Sequence, residues 1–341
     1  MFLTRCLAGL AVLGVLFPSV VFGQSGSSNT PRTAWGAPDL GGVWDYRTLI
    51  PLERPAEFEG RATLTDEEAA VFAQRTIESQ DNDNRPQNSS ADVEGAYNNF
   101  WWDWGSDLAD NRTSLITYPP DGRIPSLVPN GSRLEGSRPY PERPVRTRIM
   151  IGTPLYGPED LGLSERCVLG FSTGPPILPS AYNNNLQIFQ TPEYLVIFTE
   201  LIHEARIVPL DGRSHLTSNV RQWLGDSRGH WEGDTLVVET TNYTDKTGSF
   251  NTITTSWGSG EDLRLIERFE RVDATTLLYE FTIDDPNTFT DSITGSVPMR
   301  TTEGPLYEYA CHEGNYAMEG MLGGARAAER ASESTAQSDS R

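Results

Sequence analysis

The four histidines of this 341-residue chain are the residues best suited to acid–base chemistry. His203, His215, His230 and His312 all lie in the C-terminal half of the sequence. The ordinary pKa of a histidine side chain is close to neutrality, so the imidazole can both accept and donate a proton. Each histidine lies near acids, arginines or aromatic residues, which predicts a polar site in this half of the chain.

Two segments concentrate these residue types together with Trp and Tyr. They are residues 221–231, which include His230, and residues 307–316, which include Tyr309 and His312. Large aromatic residues among charges are typical of a pocket wall, because they need burial or a partner. We therefore predict that the catalytic residues are His203, His312, His230 and Tyr309, with His203 and His312 acting as acid and base in one pocket.

The prediction for His203 depends on strand alternation. If residues 194–208 form one regular strand, His203 shares a face with Leu195 and Ile197 and points into the protein. The alternative is a core histidine that bonds to one backbone carbonyl.

Six further residues are predicted to bind the substrate: Arg228, Arg206, Tyr182, Asn184, Trp223 and Trp102. Arginine binds carboxylates through two parallel hydrogen bonds, while Trp and Tyr offer flat apolar faces. Structural roles are the alternatives: an ion pair of Asp226 with Arg228 or with Arg221, a turn at residues 182–185, and a hydrophobic plug formed by residues 97–104.

No metal or other cofactor is expected. The sequence has no H-x-H, H-E-x-x-H or C-x-x-C spacing, and it has neither a P-loop nor a dinucleotide-binding fingerprint. Ser227 lies in a Gly-x-Ser-x-Gly string, but a strand follows it where a nucleophile elbow needs a helix. A lyase or isomerase is therefore favoured over a hydrolase.

Composition and the N-terminus indicate an exported protein. Residues 1–23 are typical of a secretory signal peptide, with Arg5 before a short apolar run, which predicts a periplasmic or secreted protein with no membrane insertion after cleavage. The formal net charge of −20 argues against nucleic acid as a partner, since that requires a basic surface. The expected partner is a small molecule or an oligosaccharide.

Cleavage of the signal peptide would leave two cysteines, Cys167 and Cys311, in an oxidising compartment. A disulfide between them is the simplest prediction. Two buried free thiols are the alternative.

The remaining pattern predicts a mainly β protein. Residues 24–37 are expected to be disordered, residues 38–322 to form one β-rich domain, and residues 323–341 to form a disordered tail. A capping box at Thr65–Glu68 predicts one short helix. Seven strands are predicted, at 186–190, 194–208, 235–241, 263–271, 276–283, 293–300 and 306–310. Short strands joined by tight turns favour an antiparallel β-barrel or a two-layer sandwich.

Two long blocks resemble other proteins. The run Gly-Asp-Ser-Arg-Gly-His-Trp-Glu-Gly-Asp-Thr-Leu from Gly225, with the ending Tyr-Ala-Cys-His-Glu-Gly-Asn-Tyr, resembles a group of exported bacterial proteins of unassigned function. The resemblance covers about residues 38–321 and implies export, but it brings no mechanism. Gly42-Val43-Trp44 is also similar to the opening of lipocalin-like barrels, which implies a barrel of that kind.

The sequence thus supports an exported β-barrel-like enzyme that uses His, Tyr and Arg on a polar or carboxylated small molecule or oligosaccharide. The second hypothesis is a lipocalin-like binding protein, which would need an apolar cavity with few polar anchors. A structural exported protein is the third.

Overall fold

The computed structural model describes residues 30–339, apart from 87, 90–96, 130, 132, 135–154, 172, 203 and 253–254. The prediction of a mainly β protein with an antiparallel barrel is confirmed. The strands are β1 (Gly42–Asp45), β2 (Ile116–Tyr118), β3 (Arg133–Leu134), β4 (Asn185–Gln190), β5 (Tyr194–Thr199), β6 (Ala205–Pro209), β7 (Asp226–Glu232), β8 (Thr235–Thr241), β9 (Phe250–Asn251), β10 (Ser256–Trp257), β11 (Arg264–Arg271), β12 (Thr276–Asp284) and β13 (Ile293–Thr301).

Nine strands form the barrel in the order β6-β5-β4-β1-β13-β12-β11-β8-β7. Every neighbouring pair is antiparallel, and the first strand β1 lies between β4 and β13. β2 pairs with β13 beside this path, and β3, β10 and β9 form a separate small sheet. Hydrogen-bonded neighbours therefore cover every strand edge of the barrel except those of β6 and β7.

The two end strands meet at a seam. An antiparallel path of nine strands leaves β6 and β7 running in the same direction, and no strand pairing joins them in the described part of the chain. A Cβ atom at Gly229 of β7 would lie 2.6 Å from Leu210 Cδ2 and 3.0 Å from Val208 Cγ1. The seam is therefore closed near Gly229, where side chains from the β6 side fill the space.

Large side chains fill the barrel interior. On β12, Leu277, Tyr279, Phe281 and Ile283 alternate with outward-facing residues, and all four are 0 % exposed. Trp44 from β1 and Phe269 from β11 are also fully buried. This packing is typical of small barrels whose core is built from side chains rather than an open ligand cavity.

Two α-helices accompany the barrel. α1 (Asp66–Ser79) begins at the predicted capping box, in which Thr65 Oγ1 accepts from Glu68 N and Glu68 Oε2 accepts from Thr65 N. Phe72 is the largest buried residue of this helix and packs on the barrel core. Short 3₁₀ turns occur at Ala56–Phe58, Asn99–Trp101, Pro158–Asp160 and Gly260–Asp262. No helix in the described ranges has the length and apolar character that crossing a membrane requires.

The second helix, α2 (Tyr316–Asp339), differs from the predicted disordered tail at residues 323–341. Its sequence contains six alanines and three glutamates, which are good helix formers.

Three strand predictions also differ from the structure. Residues 194–208 form two strands, β5 and β6, so the alternation that placed His203 on an apolar face does not run through that residue, which lies outside the described residues. Residues 306–310 form no strand. β7 is absent from the predicted strands, because Gly225, Gly229 and several charges interrupt its pattern.

The predicted disulfide is confirmed. Cys167 and Cys311 are bonded, with their Cα atoms 5.7 Å apart. The bond joins the segment before β4 to the segment after β13.

Candidate functional site

The predicted catalytic residues do not converge in the described part of the chain. His230 is on the outer face of β7, where its side chain is 59 % exposed and its Nε2 lies 3.3 Å from Glu232 Oε1. His312 is exposed and directly follows Cys311. Tyr309 is half-buried and packs on the small apolar cluster of Phe171, Leu201 and Ile202. His203 lies outside the described residues, so its proposed pairing with His312 stays a prediction.

Three of the predicted binding residues lie together. The rings of Trp102 and Tyr182 are 6.2 Å apart, and Asn184 Nδ2 donates to Asp103 O at 2.9 Å. Asn184 is itself 0 % exposed, and its amide also exchanges two 2.7 Å hydrogen bonds with the Ser180 backbone. Its side chain therefore positions the loop that carries Trp102. Next to it, Asn183 has a φ of 55°, in agreement with the turn alternative for this segment.

This loop forms one wall of an open cavity of about 430 Å³, which we call the tryptophan cleft. The indole rings of Trp102 and Trp104 stack in it with centroids 5.5 Å apart and an interplanar angle of 11°. The other walls come from the ends of β1 and β13 and the C-terminal end of α1. The lining as a whole is largely polar, with Asp45, Arg47, Asp103, Asp107, Arg300, Gln80 and Asn99.

Arg47 holds two carboxylates of the tryptophan cleft in place. Its Nε is 2.8 Å from Asp45 Oδ2, and its Nη1 forms a short ion pair with Asp103 Oδ1. The hydrogen bond with Asp45, more than that with Asp103, raises the pKa of Arg47, so this guanidinium is charged at any physiological pH. The polar groups on this side of the cleft are therefore fixed before a ligand arrives.

A second arginine of the tryptophan cleft forms a similar ion pair. Arg300 is paired in register with Asp45 between β13 and β1, and its Nη1 donates to Asp107 Oδ2 at 2.9 Å. Burial raises the pKa of Asp107, but the hydrogen bonds from Arg300 and from Ala109 N outweigh it and hold that pKa below the usual range. Asp107 is therefore an ionised acceptor near neutrality, not a proton donor.

A second site lies at the seam, where residues 204–207 of the β6 side and residues 221–227 of the β7 side enclose a groove of about 430 Å³. We call it the seam groove. It contains the predicted binding residues Arg206 and Trp223. Arg206 is 8 % exposed, and its two terminal nitrogens bind Glu267 Oε2 and Oε1 at 2.6 and 2.9 Å.

Arg228, the remaining predicted binding residue, makes the ion pair that was its structural alternative. Its Nη1 donates to Asp226 Oδ1 at 2.7 Å, and its Nε donates to Ser214 O at 3.1 Å. The other oxygen of Asp226 lies 3.0 Å from His215 Nδ1.

His215 is therefore the described histidine with the most site-like environment, although it is not among the predicted site residues. A carboxylate on Nδ1 fixes the orientation of an imidazole and leaves Nε2 for a second partner. Here Nε2 is 3.9 Å from Glu239 Oε1, and the side chain is 26 % exposed. Only the charged character of residues 221–231 could have pointed to this contact, because nothing in the sequence places residue 215 beside it.

The acids and arginines of the tryptophan cleft were also missed. The run Trp102-Asp103-Trp104 was a usable signal, since it alternates aromatic rings with a carboxylate. The sequence around Arg300 gave no such signal, because Arg300 approaches Asp107 and Asp45 only through the order of the strands in the sheet. The described residues contain no group of three or more His, Cys, Asp or Glu side chains arranged to hold a metal ion.

No protein-family model, curated protein or solved structure matches this chain. The functional interpretation therefore depends on the geometry of the two sites.

Proposed function

We propose that this protein is an exported saccharide-binding protein and that its ligand occupies the tryptophan cleft. The observation that carries the proposal is that the stacked pair Trp102–Trp104 lines the same cavity of about 430 Å³ as a set of ion-paired polar side chains. That volume is in the range of small-molecule sites in proteins.

A sugar ring matches this arrangement chemically. Its C–H faces are apolar and stack on aromatic rings, whereas its hydroxyl edge needs donors and acceptors in the same plane. Arg47 and Arg300 supply donors, and Asp45, Asp103 and Asp107 supply acceptors. Because these groups already hold one another, little conformational entropy is lost when a ligand binds.

Export is part of the proposal. The Cys167–Cys311 disulfide supports it, since such bonds persist in oxidising compartments. The signal-like residues 1–23 and the two blocks that resemble exported bacterial proteins support the same location.

The acid–base enzyme of the sequence analysis, a lyase or isomerase, is the second candidate function. The observation that favours it is the contact of His215 with Asp226, a residue that lines the seam groove. Binding ranks first because the described catalytic candidates His230 and His312 are both exposed and do not share any cavity described above.

The proposal is tested by calorimetric titration of the mature protein with neutral oligosaccharides of different linkage, such as cello-, xylo-, manno- and maltotetraose. We expect binding of at least one, and a loss of affinity of about tenfold or more in Trp102→Ala, since one stacking contact contributes roughly 1–3 kcal/mol. Trp35→Ala is the matched control, because Trp35 is exposed and outside the cleft lining. Absence of binding across the panel at millimolar concentration, or equal affinity of Trp102→Ala and wild type, would count against the proposal.

A further inference from the structure

The seam groove contains hydrogen-bond donors for which the described residues supply no acceptor. Both terminal nitrogens of Arg206 bind Glu267, but its Nε has no acceptor among the described residues. The indole N–H of Trp223 likewise has no acceptor in the described part of the chain, and its ring is half-buried in the groove wall.

Arg221 adds an exposed positive charge to the lining of the groove. Its Nη1 donates to two backbone carbonyls, Tyr243 O at 2.9 Å and Glu261 O at 3.3 Å, which fixes the guanidinium. No carboxylate within the described residues forms an ion pair with it. Its Nε and Nη2 therefore remain for a ligand, in the planar geometry that suits a carboxylate.

The acids of the groove do not cancel this charge. Both oxygens of Asp226 are occupied, one by Arg228 and the other by His215 Nδ1 and Leu216 N. Glu204 is exposed at the groove, so its carboxylate stays in water.

The backbone of the groove also favours a ligand with acceptor oxygens. β6 and β7 are edge strands here, and edges carry N–H groups without ladder partners. Behind the wall, the buried Tyr243 hydroxyl lies beside Thr240, whose own hydroxyl pairs with that of Ser227. Tyr243 Cζ lies 3.0 Å from where a Cβ of Gly225 would be, so only glycine leaves room for it.

We propose that the seam groove is a second binding site, distinct from the tryptophan cleft, that takes a ring-bearing carboxylate. The carboxylate binds Arg221 and the free Nε of Arg206, and the ring of the ligand lies against Trp223. This site does not depend on the saccharide proposal.

The test is titration of the mature protein with two matched pairs of probes, benzoate against benzamide and glucuronate against methyl glucoside. We expect at least one carboxylate to bind at least tenfold more tightly than its neutral counterpart, with an affinity that falls as salt is added. Arg221→Gln should abolish this preference, and Arg221→Lys should restore only part of it, because lysine lacks the planar fork. Arg268→Gln removes a half-buried arginine on β11 that pairs with Glu232 outside the groove, and it should bind the probes as wild type does.

The same titrations separate the two proposals. Trp102→Ala should leave carboxylate binding unchanged while it weakens oligosaccharide binding. Equal affinity for each carboxylate and its neutral counterpart, or an unchanged preference in Arg221→Gln with a normal melting temperature, would overturn the seam-groove proposal. Loss of carboxylate binding in Trp102→Ala would also overturn it, since the ligand would then occupy the cleft.

Discussion

At the scale of single residues, the pair Arg206–Glu267 is the charged feature most deeply enclosed by the barrel. Glu267 is 0 % exposed and also accepts a 2.8 Å hydrogen bond from the Tyr279 hydroxyl, which in turn accepts from Ile177 N at 3.0 Å. Burial alone would lower the pKa of Arg206, but the Glu267 charge outweighs it and raises that pKa. The pair is therefore charged at physiological pH, and each member depends on the other.

We predict that Glu267→Gln lowers the free energy of unfolding by about 3–5 kcal/mol, because it leaves the Arg206 charge buried without a counter-ion. Glu270→Gln, an exposed position on the same strand, is the control and should change stability little. The double variant Arg206→Met with Glu267→Leu should lose less stability than Glu267→Gln, since no charge remains inside. Denaturant unfolding measures all three, and an unchanged midpoint for Glu267→Gln would show that the pair is not coupled as described.

The sequence identified some residues that line a site, but it did not identify the residues that they contact. Arg206 was selected from the sequence as a binding residue, and it does reach the seam groove. Its partner Glu267 is 61 residues away and meets it only because β6 and β11 face each other across the interior. The contact of His215 with Asp226 could not be predicted either, because it joins a loop to β7, a strand that the sequence did not predict.

At the scale of elements, the sequence predicted the strands whose apolar residues alternate without interruption. β8, β11, β12 and β13 were placed within one residue of their observed bounds. β7 was not predicted, because Gly229 interrupts the alternation of apolar and polar residues along it. The absence of a side chain at this position makes room for Val208 and Leu210 at the seam, where β6 and β7 meet without backbone pairing. The irregular sequence is thus a consequence of closing the barrel with an odd number of strands.

The disulfide joins the segment before β4 to the segment after β13, and its removal gives a prediction of its own. Cys167 and Cys311 are 144 residues apart, so the bond restricts a long loop of the unfolded chain. The double variant Cys167→Ser, Cys311→Ser should lose about 4–5 kcal/mol of unfolding free energy if that restriction is fully expressed. Denaturant unfolding under non-reducing conditions measures the loss, with reduced and reoxidised wild type as the control. A midpoint equal to that of wild type would contradict a stabilising role for the bond.

At the scale of the whole molecule, the sequence predicted either a barrel or a sandwich, and its strand pattern is compatible with both. That choice depends on strand order, and β1 lies between two strands that are far from it in sequence, β4 and β13. The same insertion brings Asp45 beside Arg300 and so builds the tryptophan cleft. A filled interior moves any ligand site to the ends and the seam of the barrel, which is where both candidate sites lie.

The central claim is that a saccharide stacks on Trp102 and Trp104, and indole ¹⁵N–¹H resonances report on it most directly. The spectrum of the labelled mature protein is recorded with increasing amounts of the tightest oligosaccharide, and signals are assigned with single Trp→Phe variants. We predict that the resonances of Trp102 and Trp104 shift or broaden as binding saturates, while that of the fully buried Trp44 stays in place. Unchanged Trp102 and Trp104 signals at saturation, or changes confined to Trp223, would contradict the account.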